Sequence, residues 1–319
     1  MNKKSLVFAF LLAVISIAVI ITYSFKNPAG RINLRVEQQK TGTAQSMRLD
    51  VVEKEAPTKI ENAQQEKSGP ATSLPWENSE DFKKAQQKNN TLVLMGAYST
   101  VLRDPLPGEE YNVHLAASRL AGTVVDAGKV FSQNKKLGPY TEDRGFQKGP
   151  TYVGSQLTTT IGGGVCKIAS TLYNVSILSN VQIVERHAHG MPVPYVPYGQ
   201  DATVAYGARD FKFLNNTSSP MLIWAQGVGN TLYIAFYGSS KPPKIEWHHE
   251  TLSVQKAPTV YRVNPSLPDG TEKLVLEGMD GAVVRSSITI TNSDGTSTVK
   301  ELGNSTYKPM GYIKEKSAK

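Results

Sequence analysis

Apolar and polar residues follow different rhythms in successive stretches of this chain, and each rhythm predicts a different element. Residues 6–23 form an apolar run preceded by Lys3 and Lys4, with no further charge before Lys26. That length suits a helix that crosses a bilayer, and the lysines favour a cytoplasmic N-terminus. A cleaved signal peptide would have a shorter apolar core ending at a small-x-small site. Here Ala18 is followed by Val-Ile-Ile-Thr-Tyr. Residues 1–26 are therefore expected to be an uncleaved anchor in the cytoplasmic membrane, with the rest of the chain outside the cell.

Between residues 27 and 90 the pattern disappears. The stretch is rich in Gln, Lys, Glu, Ser and Thr, with scattered prolines such as Pro57, Pro70 and Pro75. It lacks the apolar surface to fold alone, and reads as a disordered stalk. Alternation resumes at residues 91–98, which predict a strand. A helix is expected over 113–120 with Asn112 as its cap, then a strand over 123–131 with Gly128 in a turn. In residues 165–178, Val165, Ile168, Ala169, Leu172, Val175 and Leu178 recur every three or four positions, as one face of a helix requires. Strands are expected at 181–187, 203–206, 211–214, 221–226 and 232–237, with turns at Asn215-Asn216 and 227–230. Residues 91–240 thus predict an α+β domain, an antiparallel sheet packed on one principal helix. After the linker Lys241-Pro242-Pro243, short alternating stretches and the turn dipeptides Asp269-Gly270, Asp280-Gly281 and Asp294-Gly295 predict a small all-β module over 245–319.

Charge and cysteine content narrow the class. A formal charge of +8 outside a cell suits anionic wall polymers or lipid head groups. No aromatic and arginine interleaving or nucleic-acid module accompanies it, so no nucleic acid partner is expected. The single cysteine, Cys166, cannot form an intrachain disulfide, and is either a buried apolar side chain or a thiol kept for reactivity.

The neighbourhood of Cys166 favours chemistry. Gly162, Gly163 and Gly164 mark a sharp turn directly before the predicted helix, which puts the thiol in its first turn. Unpaired amides and the partial positive charge there stabilise a thiolate. A nucleophilic thiol also needs a base and a group that orients the base. His187 and His189 follow the next strand and Asp201 comes soon after, with only one of the two histidines expected to reach the sulfur. Gln156 could serve as an oxyanion donor, Arg186 could bind a substrate carboxylate, and the glycines would let a substrate approach the backbone. Cys166, His187, His189 and Asp201 are all possible zinc ligands, but their spacing matches no zinc motif, so no metal or cofactor is expected. His248 and His249, in the C-terminal module, read as exposed polar residues. Such a site suits acyl transfer or amide hydrolysis, although a lone cysteine in an amphipathic helix is more often a small buried apolar residue, and three glycines can serve close packing alone.

Several blocks of the chain also resemble a known family. These are Phe131-Ser132-x-Asn134, Gly162-Gly163-Gly164-Val165-Cys166, Ala169-Ser170-Thr171-Leu172-Tyr173-Asn174 and Glu185-Arg186-His187-x-His189. Tyr195-Val196-Pro197-x-Gly199-x-Asp201-Ala202-Thr203-Val204 and Asp210-Phe211-Lys212-Phe213-x-Asn215-Asn216-Thr217 complete the set. In this order, over residues 122–238, they closely resemble the VanW family. The residue after the cysteine, often Gln in that family, is here Lys167. The resemblance implies an exported wall protein of the kind found in vancomycin-resistance gene clusters of Gram-positive bacteria, with no settled reaction. The last segment is similar to a five-glycine domain through Gly278-x-x-Gly281, residues 287–291, Gly295 and Tyr307-Lys308-Pro309. That likeness implies adhesion to N-acetylglucosamine polymers. The expected partner is accordingly peptidoglycan or wall glycan, bound or processed by this protein.

Overall fold

The computed structural model describes residues 67–102, 105–153 and 156–318. The expected anchor and the first part of the expected stalk lie outside these residues. Among the described residues, no helix is long and apolar enough to cross a membrane.

The stalk expectation fails from residue 67 onward. Strand β1 (Gly69–Pro70) and helix α1 (Glu80–Asn89) are ordered parts of the fold. Ser79 caps α1 by accepting a hydrogen bond from the Phe82 amide. The reason for the order lies far along the chain, in β2 (Val93–Val101) and the sheet it joins. Ala97, Leu222, Ala235 and Tyr237 give that sheet a second apolar face, which Ala71, Leu74, Trp76 and Phe82 cover. Trp76 Nε1 also donates to the Tyr237 hydroxyl at 2.9 Å. A segment too polar to fold alone is held by burying a few large rings against a ready-made surface.

Helix α2 (Glu109–Leu120) starts a turn earlier than expected, from Gly108 at φ 82°. Asn112 is fully buried inside the helix and is not its cap. The strand expected over 123–131 splits into β3 (Thr123–Val125) and β4 (Val130–Ser132), which join different sheets on either side of the turn at Gly128. A short helix, α3 (Gln133–Leu137), and the hairpin of β5 (Lys148–Val153) and β6 (Gln156–Ile161) lead to helix α4 (Cys166–Leu178).

Strands β7 (Gln182–Glu185), β8 (Lys212–Leu214), β9 (Met221–Val228) and β10 (Thr231–Gly238) complete the domain. The main sheet is antiparallel, in the order β1-β2-β10-β9-β3, while β4, β8 and β7 form a smaller one. Along β9 and β10, Met221, Ile223, Leu232, Ile234 and Phe236 alternate onto the face that carries α2 and α4. The α+β expectation holds at this level, as strands with a few helices.

Helix α4 is buried almost all round, beyond the single apolar face that its periodicity shows. Its polar positions explain how. Ser170 Oγ bonds the amide and carbonyl of Ala202 at 2.9 and 3.0 Å, and Asn174 Nδ2 donates to the Gln200 carbonyl at 2.8 Å. These bonds dock residues 200–204 against the helix, so the expected strand at 203–206 does not form. Only Ala205 and Arg209 make an isolated bridge there.

The C-terminal module contains β11 (Lys244–Gln255), β12 (Thr259–Val263), β13 (Glu272–Leu276), β14 (Gly281–Thr291), β15 (Ser297–Tyr307) and β16 (Tyr312–Lys316). They form two three-stranded sheets, β11-β14-β15 and β12-β16-β13. The module packs directly on the preceding domain. Ile288 belongs to the main core, and the Trp247 ring meets Tyr173 of α4 edge-on at 5.4 Å. Gly199, at φ 87°, allows this approach, since a Cβ there would lie 2.5 Å from Ser286 Oγ.

Candidate functional site

The thiol is placed by the turn between β6 and α4. Gly162 and Gly164 adopt φ of 77° and 101°, which favour glycine. A Cβ on Gly163 would lie 2.2 Å from backbone atoms of Gly149. Asn112 clamps the turn from below, donating to the carbonyls of Gly163 at 2.9 Å and Gln147 at 2.8 Å. Gly162 and Gly163 are buried, so their part is to fold the turn, in place of the substrate contact expected of them. The amides of Val165, Lys167 and Ile168 bond to carbonyls within the turn. Those of Gly164 and Cys166 have no acceptor among the described residues.

Cys166 begins α4 partly buried, with Sγ 3.3 Å from Thr203 Oγ1 and 3.5 Å from the Val204 carbonyl. His189 Nδ1 lies 2.6 Å from Asp201 Oδ2, which leaves its other ring nitrogen for the thiol. Burial alone would raise the Cys166 pKa, but hydrogen bonding and charge from His189, helped by Thr203 and the backbone of Val204, bring it below its ordinary value. Burial opposes charge on His189 too, yet the Asp201 hydrogen bond and the Cys166 thiol push its pKa up to about 9. The two shifts together favour a thiolate and imidazolium pair.

Asp201 is 1% exposed and carries an unusual number of donors. Oδ2 accepts from both the backbone amide and Nδ1 of His189, each at 2.6 Å. Oδ1 accepts from Arg186 Nη2 at 2.9 Å and from the Tyr307 hydroxyl. Burial works against the ionised carboxylate, but His189 and Arg186 outweigh it and hold its pKa below the usual range. Arg186 is therefore not free to bind a substrate carboxylate. Its Nε donates to the Asp201 carbonyl at 2.7 Å, its Nη1 to Ser305 Oγ at 2.8 Å, and its plane lies over Tyr173.

His187 stands elsewhere. Its Nε2 lies 2.9 Å from Glu185 Oε1, in a half-exposed cluster where Glu185 also binds Lys212 Nζ at 2.7 Å. Both histidines lie beyond the end of β7, so no strand geometry fixes their relative directions. Gln156 begins β6 opposite Val153, and its side chain lies outside what the structure describes. His248 and His249 are both exposed, as expected; His248 bonds Thr289 Oγ1, and His249 bonds Ser286 Oγ and Gln200.

Three members of the site gave no sequence signal of a place in it. Asn112 reads as a helix cap, Thr203 as an ordinary strand residue, and Tyr307 sits 106 residues beyond Asp201 in what reads as a separate module.

A thiol at a glycine-turned helix N-terminus, an imidazole beside it and a buried carboxylate behind define a Cys-His-Asp site on an α+β domain. Residues 108–237 match the family model described as VanW like protein, the same stretch whose motifs resemble that family. The chain is 37% identical over 145 residues to the "Uncharacterized protein YoaR" of Bacillus subtilis (strain 168), covering 46% of this chain and 48% of that protein. It is 31% identical over 119 residues to the "Vancomycin B-type resistance protein VanW" of Enterococcus faecalis (strain ATCC 700802 / V583), covering 36% and 43%. The matches thus span about half the length of these relatives or a little less. Among solved structures, an IgA1 protease G5 domain is 25% identical, covering 26% of this chain and 99% of that one with a TM-score of 0.16. A second, HP0197-G5, is 20% identical, covering 23% and 97% with a TM-score of 0.14.

Proposed function

We propose that this protein is an exported, membrane-anchored protein of the bacterial cell wall that uses Cys166 to cleave or transfer an amide-linked acyl group of a peptidoglycan stem peptide. The observation that carries the reading is Asp201, bonded to His189 Nδ1 at 2.6 Å, on the segment whose Thr203 Oγ1 lies 3.3 Å from Cys166 Sγ; His189 in turn draws the thiol pKa down. The printed name of the Enterococcus relative supports a wall context, and the chain's charge of +8 is compatible with anionic wall polymers.

In this mechanism the Cys166 thiolate attacks the amide carbonyl carbon, forming a carbon–sulfur bond. The oxyanion is met by the free amides of Gly164 and Cys166. The carbon–nitrogen bond then breaks, and the His189 imidazolium gives its proton to the departing amine. Water or an acceptor amine next attacks the thioester, losing its proton to His189 as the thiolate leaves. Asp201 holds the ring in one tautomer and stabilises its charged form.

The test is incubation of the purified full-length protein with peptidoglycan fragments, followed by mass spectrometry. Turnover by the wild type and its complete loss in Cys166→Ala, with the unfolding midpoint preserved, is the expected result. Equal turnover by the variant would eliminate Cys166 as the nucleophile. Retention of fragments by both proteins with no turnover would leave a wall-binding protein in place of an enzyme.

A further inference from the structure

We infer that Tyr307 is a positioning residue of the thiol site, so that the C-terminal β module is a working part of that site. This rests on the reading of Cys166, His189 and Asp201 as a reactive group. Within the site, the two oxygens of Asp201 are held by different parts of the chain. Oδ2 is taken by His189, through its amide and its ring. Oδ1 is taken by Arg186 and by Tyr307.

The direction of the Tyr307 hydroxyl follows from its partners. The Gly199 amide donates to its oxygen at 2.7 Å, so the single hydroxyl proton is left for Asp201. Burial, with the charge of Asp201, holds its pKa above the ordinary tyrosine value, so the proton stays in place. The ring is fixed as well, 3% exposed and edge-on to Tyr198 at 5.2 Å.

The same strand makes a second contact with the carboxylate, through Arg186. Ser305 is two residues before Tyr307 and on the same face of β15. Its Oγ accepts from Arg186 Nη1 at 2.8 Å, and that guanidinium reaches both the side chain and the carbonyl of Asp201. Strand β15 therefore fixes the rotation of the carboxylate both directly and through Arg186. Oδ2 keeps its place under His189 Nδ1 only while Oδ1 is tied. Loosening Oδ1 weakens the partner that stabilises the imidazolium, and with it the thiolate.

A tyrosine kept only for packing would also find a partner for its hydroxyl, so the test must read the thiol itself. In the full-length protein, the rate of Cys166 alkylation by iodoacetamide is followed against pH for the wild type, Tyr307→Phe and Ile288→Val. Tyr307→Phe keeps the ring and removes only the hydroxyl. Ile288→Val loosens the module's core contact without touching the carboxylate network, and unfolding midpoints are measured for all three. The titratable and charged groups around the sulfur and ring are Asp201, Arg186, Tyr140, Tyr173, Tyr195 and Tyr307, with His249 reached only through Arg186. The four tyrosines are raised by burial and His249 is lowered by it, so the part of the profile above neutral pH reports Cys166 and His189.

Tyr307→Phe is expected to raise the apparent thiol pKa by about one unit, with about tenfold slower alkylation near neutral pH. Ile288→Val is expected to keep the wild-type profile even at an equal loss of midpoint. An unchanged profile in Tyr307→Phe, or the same shift in Ile288→Val, overturns the inference while leaving the thiol reading intact. A wild-type thiol that alkylates no faster than a free cysteine overturns both.

Discussion

Two histidines two residues apart each meet a carboxylate, and their surroundings make them different objects. His189 and Asp201 are 2.6 Å apart with side chains 14% and 1% exposed, while His187 and Glu185 are 2.9 Å apart with 40% and 29%. In the first pair the carboxylate is almost wholly buried, and Arg186, Tyr307 and a thiol share the charge. In the second, the dominant partner of Glu185 is Lys212, which with His187 draws the carboxyl down to about 2 in a setting that solvent screens. Pairing alone is therefore a poor sign of function. Burial beside a nucleophile is what separates the two.

The comparison is broken most severely by removing the inner imidazole. His189→Gln should lower turnover roughly 10²- to 10⁴-fold and return the Cys166 alkylation profile to that of an ordinary thiol, as measured by mass spectrometry and iodoacetamide kinetics. Asp201→Asn should be the most destabilising change, at about 3–5 kcal/mol in urea unfolding, because the largely buried Arg186 loses its charged partner.

Unfolding as a function of pH sharpens the contrast further. His189, raised above its unfolded value of 6.5, contributes stability in full below that pH, and loses it as pH rises through about 9. Cys166, lowered in the fold, contributes above its unfolded value of 9.0 and loses this as pH falls through its folded pKa. In the wild type the two trends oppose each other between these limits, so urea midpoints should vary little. In Cys166→Ala the part of the His189 shift owed to the thiol goes too, and the part owed to Asp201 remains, so midpoints should fall modestly as pH rises above 6.5. The smallest effect belongs to the outer pair: His187→Gln should change stability by about 0–1 kcal/mol and turnover by less than about twofold.

The elements with strong local rhythm were legible in the sequence. Helix α4, the strands β2, β9 and β10, and the change to a β module near residue 245 all follow from spacing and turn residues. The apolar character of both alternating sets in β10 even contains the information that its sheet is covered twice. Residues 67–90 were illegible because the surface that orders them is built from residues 97, 222, 235 and 237. Segment 200–204 was misread as leading into a strand because its partners are side chains of α4, and side-chain docking leaves no periodicity.

The site was legible only in part, for a related reason. Local spacing placed Cys166 at a helix start, but could not choose between His187 and His189 once the chain had left β7. Nor could it show that Arg186 turns inward, or that Tyr307 closes over Asp201 from more than a hundred residues away. Contacts of that kind are set by packing between elements, which no single window of sequence encodes.

Gly199 is where side chains of the module reach the backbone of the loop that carries Asp201, and it limits what can be joined there. A side chain there would press on Ser286 and His249, and lift the module from the loop that carries Asp201. Exchanging this module for an unrelated one would thus require a matching notch and a matching phenol.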